Sequence, residues 1–338
     1  MPSDASYARG RTTRRTALGA AGWVTGLVGL AALSGCGIRV GQPEPSLTPP
    51  PARQPVADEA ELLTALGDAL RLAGDAAATA PQSGGTRLLA AVHAEHAVAL
   101  RAVLRAAGVP DLVVASSLSS PSAGPSASST GKPGATPTTA PSRLPVSPGQ
   151  LAGAEGAAVS AQALGGVAGT TSAHRPVLVA VATRRALAVT ALGGTVAWPA
   201  SNPLPAAAAA ALLTPTRAVV YGFEVITARL PEPERAPALA TLTALRQREA
   251  GLTSLAGDAA APEPLGYDLP FPVASAADAR RLATTILTGL VARGLDPLAA
   301  VPLGSSAVGT VVRLQTEALS LGSPWGVVPP SLPGMVYP

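Results

Sequence analysis

Apolar residues recur at three- and four-residue spacing along nearly the whole of this chain, and nowhere do they alternate with polar ones as in a half-buried strand. A chain with that one period folds as helices packed on helices. Of its 338 residues 47% are hydrophobic but only 3% aromatic, so the core has to be assembled from Ala, Leu and Val. Four helices in each half, mostly joined by short connections, predict an all-α protein of two antiparallel helical bundles.

Breakers and caps set the boundaries. Asp58 opens a helix carrying Leu62, Leu63, Leu66, Leu70 and Leu72. Gly84-Gly85 breaks the chain before a second helix with Leu88, Leu89, Val92, His96, Leu100, Val103 and Leu104, which Gly108 and Pro110 stop. Gln150–Leu164 and Pro176–Leu192 complete an N-terminal helical region at 58–193, Pro176 suiting a first helical turn. From Pro205 a helix runs to Leu230, with Pro215 as its predicted kink or break. Glu234–Leu255 follows, carrying Leu239, Leu242, Leu245 and Leu252, and then a loop from Gly257 to Val273. Ser275 caps a helix through Val291, and Asp296-Pro297 opens the last one. These make a four-helix domain at 203–322, followed by a Pro-rich tail at 323–338 anchored by Trp325. Between the halves, residues 115–148 are dense in Ser, Pro, Thr and Gly. Such a tract buries too little apolar area to offset ordering and reads as a disordered linker.

The N-terminus has another character. Arg9, Arg11, Arg14 and Arg15 precede a weakly apolar run from Thr16 to Leu33 that glycines interrupt. It is short for a bilayer span, which takes about 20 apolar residues. With Leu33-Ser34-Gly35-Cys36 behind it, this is the layout of an export signal, and those four residues resemble the lipobox of bacterial lipoproteins. The resemblance implies a signal peptide at 1–35, cleavage before Cys36 and diacylation of its thiol. The mature chain is then held by lipid to the outer face of the cell membrane, with 36–57 as a Pro-rich spacer; an uncleaved N-terminal anchor is the rival. Thr13-Arg14-Arg15-Thr16-Ala17-Leu18 resembles a twin-arginine export motif, although Ala17 stands where that motif favours a bulky apolar residue. The general secretory route is the alternative.

The net charge of +4 is mostly a property of the signal. Residues 1–35 hold four Arg and one Asp, so residues 36–338 carry 20 basic and 19 acidic side chains. That balance gives no concentrated basic surface for nucleic acid. Cys36 is the only cysteine, so no disulfide framework is available and stability rests on packing.

Three motifs carry a family resemblance: Val220-Tyr221-Gly222-Phe223, Arg248-Glu249 and the loop Tyr267-Asp268-Leu269-Pro270-Phe271-Pro272-Val273. On them, residues from about Pro205 to Leu321 resemble a ferritin-like domain of unknown function found in actinobacterial secreted proteins and lipoproteins. The resemblance implies a ferritin-like bundle, a superfamily that holds two metal ions with inward-facing Glu and Glu-x-x-His residues. Here Thr216-Arg217 stands where relatives carry Glu-His, and no histidine follows His174. Glu224, Glu249 and Glu317 alone remain, a poor metal-binding set, each available to an arginine.

One cluster offers chemistry. His93 and His96 of His93-Ala94-Glu95-His96 are neighbours on one helix face, together with Leu89, Leu100 and Val103. They could ligate a transition metal if an acidic residue such as Glu61, Asp68 or Glu155 completed the set; otherwise they form a hydrogen-bonded polar patch or sit on the bundle rim. His174 reads as a surface or cap residue and Arg184-Arg185 as a solvated edge. Tyr221, Phe223, Tyr267 and Phe271 read as packing, and no phosphate loop, nucleophile elbow or zinc-binding cysteine set is present.

The expectation is therefore a membrane-tethered, non-enzymatic envelope lipoprotein that binds a partner protein or ligand or serves as a scaffold, with no cofactor. The alternative is a metal-binding or metal-dependent oxidase-type protein using His93 and His96. A two-lobed solute-binding lipoprotein is disfavoured because its alternating β–α pattern is missing.

Overall fold

Short polar residues set where several helices of this protein begin. Its structure, a computed structural model, describes residues 53–119, 145–200, 204–300 and 303–335. Arg14, Arg15, the Leu33–Cys36 motif and residues 120–144 of the expected linker lie outside them.

α1 (Glu59–Ala77) is followed by α2 (Gly84–Ala106), which starts at a capping box. Ser83 Oγ accepts from the Thr86 N–H at 3.1 Å, and Thr86 Oγ1 accepts from the Ser83 N–H at 3.0 Å. Gly84 and Gly85 thus lie in the first turn of α2 and do not break the chain. α3 (Asp111–Ser119) takes the first residues of the expected linker into a helix. The linker's other end is also ordered, since Val146 bridges to Thr79 and Pro148 begins α4 (Pro148–Gly156) on a second capping box of Ser147 and Gln150. α5 (Ala161–Gly169) starts at Ser160, whose Oγ accepts from the Ala163 N–H at 3.2 Å. Gln150–Leu164 is therefore two helices, because Ser160 in extended backbone ends one and caps the next.

α6 (Arg175–Ala191) and α7 (Ala206–Arg229) are long and apolar. Pro215 lies inside α7 without ending it, flanked by the buried Leu212, Leu213 and Thr216 that hold the helix against its neighbours. α7 is long and apolar enough to cross a membrane, but more than half of its most apolar stretch is packed inside the protein. α8 (Arg235–Ala256) and α9 (Ala276–Arg293) follow, the latter capped by Ser275 and Asp278. The expected last helix is two, α10 (Asp296–Ala300) and α11 (Ser305–Gly322).

Among the described residues there is no strand, as the periodicity predicts. α1 packs on α2 and α7 on α8; α9 lies on α7, and α11 packs against α9, α5 and α6. One apolar core joins Leu62, Leu66 and Leu100 to Val179 of α6 and on to Leu212, Val308 and Val311, so both halves contribute to it. A second core inside α7, α8, α9 and α11 is built from Phe223, Ile226, Leu245, Leu287 and Leu319. Each fully buried leucine of these cores contributes about 2 kcal/mol relative to leaving it in water. Leu88 and Leu239 leave their expected buried stripes and are exposed. The crossing of α7 and α9 is close at Gly222, where a Cβ would stand 2.6 Å from Ile286 Cδ1.

The tail lies over the second core. The Trp325 ring meets Phe223 edge-on at 5.5 Å between centroids, and its Nε1–H donates to Thr241 Oγ1 at 3.2 Å. Thr284 Oγ1–H donates to the Trp325 carbonyl at 2.6 Å. Trp325 is the anchor that its place in a Pro-rich tail suggests.

Candidate functional site: a sealed histidine, carboxylate and arginine cluster

The phase of α2 puts His93 and His96 on the same buried face as Leu89, Leu100 and Leu104. Both imidazoles are at most 1% exposed, and their ring centroids lie 5.5 Å apart at 74°. α4 offers one buried polar residue, Glu155, whose Oε1 is 2.5 Å from His93 Nε2. Of the carboxylates expected beside the histidines, it is Glu155 that meets one.

α6 supplies two cations. Arg185 reaches Asp68 Oδ2 on α1 at 2.9 Å, the Ala154 carbonyl at 2.7 Å and, more loosely, Glu155 Oε2 at 3.4 Å. Arg184 is as deeply buried, and its burial lowers its pKa against the opposing field of Glu155. This corrects the expectation of a solvated edge. α6 is covered on nearly all its faces, so a charged residue near its middle has no route to water. Burial alone would raise the Asp68 carboxyl; Arg185 and Arg71 together hold it below its ordinary range.

The tail closes the cluster. His96 Nε2 lies 2.6 Å from the carbonyl of Ser331, which can only accept, so Nε2 carries the proton. Ser331 Oγ–H donates to the carboxylate of Glu95, the residue before His96 on α2. Burial pushes the His96 pKa down to about 4, against the Ser331 bond that raises it, with His93 and both arginines adding to the fall. His96 is therefore neutral at pH 7.

A carboxylate-bound imidazole such as His93 is a familiar general base, but a base needs access to its substrate. His93, His96 and Glu155 are sealed, and they line none of the grooves of about 860, 470 and 410 Å³ among the described residues. A cleft of about 410 Å³ between α1, α5 and α6 reaches only the outer pair, Asp68 and Arg185. Among the described residues no group of three His, Cys, Asp or Glu side chains is placed to hold a metal ion. The donors explain why: His93 Nε2 is committed to Glu155, His96 Nε2 to a carbonyl, and Asp68 to two arginines.

The C-terminal residues likewise do not fit a two-metal centre. Glu224 pairs with Arg246 at 2.7 Å, Glu249 with Arg217 at 3.6 Å and Glu317 with Arg313 at 2.8 Å. Thr216 is buried and bonds back to the Leu212 carbonyl. Tyr221 and Tyr267 meet at 5.7 Å, and Arg281 stacks 3.8 Å over Phe271.

His174 is the N-cap residue of α6, as expected, with a task the sequence does not disclose. Its Nδ1 lies 2.9 Å from Asp58 Oδ2, and Thr171 donates to the same carboxylate through its N–H at 2.9 Å. Asp58 takes a left-handed φ of 62° to reach them, tying the start of α1 to the start of α6.

Residues 207–336 match the model of a family described as a domain of unknown function (DUF4439), a stretch that contains all three motifs read from the sequence. No curated protein and no solved structure matches the chain.

Proposed function

We propose that this protein is an exported lipoprotein, tethered through Cys36 to the outer face of the cell membrane, with a ferritin-like helical body that serves as a binding or scaffold module. The observation that carries the non-enzymatic reading is the enclosure of His93, His96 and Glu155, which are at most 1% exposed, while only Asp68 and Arg185 of the cluster reach the neighbouring cleft. The Leu33-Ser34-Gly35-Cys36 motif supports the tether, and the near-neutral charge after it speaks against a nucleic-acid partner.

The test of the tether is metabolic labelling with an alkyne fatty acid, followed by membrane fractionation of the full chain and of Cys36→Ala. Label and membrane association in the parent, both lost in the variant, are expected. Unlabelled chain held in the membrane in both forms would assign an uncleaved anchor instead.

One observation favours a second reading. Nδ1 of His93 and Nδ1 of His96 are both buried without a partner, and such atoms are costly to leave bare. Metal analysis of the purified protein decides the matter. Stoichiometric iron, manganese or zinc that vanishes in a His93→Ala/His96→Ala double variant would overturn the binding-module reading.

A further inference from the structure

Burying a charge without a counterion costs several kcal/mol, so a folded protein rarely leaves one beside open space without a use for it. Arg248 on α8 is such a charge. It is 9% exposed, its Nη1–H donates to the Leu314 carbonyl at 2.8 Å, and its Nε has no partner. Among the described residues no carboxylate pairs with it. Burial draws its pKa down to about 10 against the distant field of Glu317.

Arg248 lines a groove of about 860 Å³ between α8, α11 and the segment that follows α6. That segment is bent over the groove by Gly193, which closes α6 with a left-handed φ of 80°, and by Gly194, where a Cβ would stand 3.0 Å from Val189. The volume lies in the range of sites that enclose a small organic ligand, roughly 300–1,000 Å³. Val196, Trp198, Leu314 and Leu321 give it apolar walls, and Thr195 and Ser320 add hydroxyls.

We propose that this groove binds a monocarboxylate carried on an apolar body, with the carboxylate on the Arg248 guanidinium and the apolar part against Trp198 and Leu321. The proposal deepens the binding-module reading and rests on it. Nη1 of Arg248 is held by the Leu314 carbonyl and Nε is sealed, so Nη2, neither bonded nor sealed, is the charged donor that the groove offers a carboxylate. Glu317 lines the same groove and its field reaches Arg248, so it opposes a second negative charge on the head group and selects against a dianion such as a phosphate monoester. Arg313 holds Glu317 at 2.8 Å and leaves it facing the groove as a partly neutralised charge.

The experiment is calorimetric titration of the full chain with dodecanoate, 1-dodecanol and dodecyl phosphate, alongside Arg248→Gln and Glu317→Gln. Dodecanoate is expected to bind at least about tenfold more tightly than the alcohol, and Arg248→Gln to remove that preference. Glu317→Gln is expected to tighten dodecanoate by about threefold and to admit dodecyl phosphate. One-to-one stoichiometry and a parent-like circular dichroism spectrum separate this gain from loose binding to unfolded chain, so Glu317→Gln keeps the test sound if Arg248→Gln unfolds. Equal binding of acid and alcohol, dodecanoate binding unchanged in Arg248→Gln, or no binding of any probe would overturn the proposal. None of those outcomes touches the binding-module reading, which falls instead to stoichiometric metal at His93 and His96.

Discussion

At the scale of single residues, the cluster is organised by who can donate. Neutral His96 gives its Nε2 proton to the Ser331 carbonyl and leaves Nδ1 bare, so a second proton would enter a buried site with no acceptor and two arginines nearby. The folded pKa of about 4 lies below the ordinary 6.5, so the unfolded chain takes the proton first as the medium acidifies. Stability from this residue is complete above about pH 6.5 and is lost as pH falls towards 4, by on the order of 3 kcal/mol. Chemical denaturation between pH 7 and 4 should show that slope, and His96→Gln, which keeps a donor for Ser331, should flatten it. A slope unchanged in the variant would place the titrating group elsewhere. Glu155 has a different weight, since it serves His93, Arg184 and Arg185 together. Removing one partner of a buried charged pair costs about 3–5 kcal/mol, so Glu155→Ala should lower the denaturation midpoint far more than Glu61→Ala at the edge of the neighbouring cleft.

At the scale of elements, caps override breakers. α2 begins with two glycines, the poorest helix formers after proline, and still forms because Ser83 and Thr86 satisfy two otherwise free N–H groups. Ser83→Ala should therefore cost about 1 kcal/mol, read as a lower thermal midpoint with the fold kept. The same rule explains what was legible in the sequence. Ser275 and Gly108 marked helix ends correctly because cap chemistry is local, a matter of three or four neighbouring residues. The break at Ser160 and the continuity through Pro215 were harder to read: an apolar period carries on through a cap, and a proline is tolerated where neighbouring helices hold the chain.

At the scale of the whole molecule, the tail is part of the core. Trp325, Val327 and Leu332 pack on residues from both ends of the described chain, and Ser331 seals the histidine cluster. Val327 and Leu332 are less than a tenth exposed, and with the Trp325 contact they contribute roughly 5 kcal/mol by area. Truncation after Gly322 should lower the thermal midpoint by roughly 10 °C or more, and should open His96 to solvent, visible as a rise of its pKa towards 6.5 by NMR titration. A truncated chain that melts with the parent would show the tail to be a passive cover.

The sequence by itself determined the class of fold, most helix boundaries and the place of Trp325, because period, caps and breakers act over a turn or two of chain. It also placed His93 and His96 on one helix face with Leu89 and Leu100, a face that packing then turned inward. Only the tertiary structure decided what those histidines bind, since Glu155 lies 62 residues from His93 and Ser331 lies 235 from His96. It alone turned Arg184 and Arg185 inward and left Arg248 buried beside an open groove. The reason is physical: a side chain's charge is written in the sequence, but its access to water depends on every helix that packs around it.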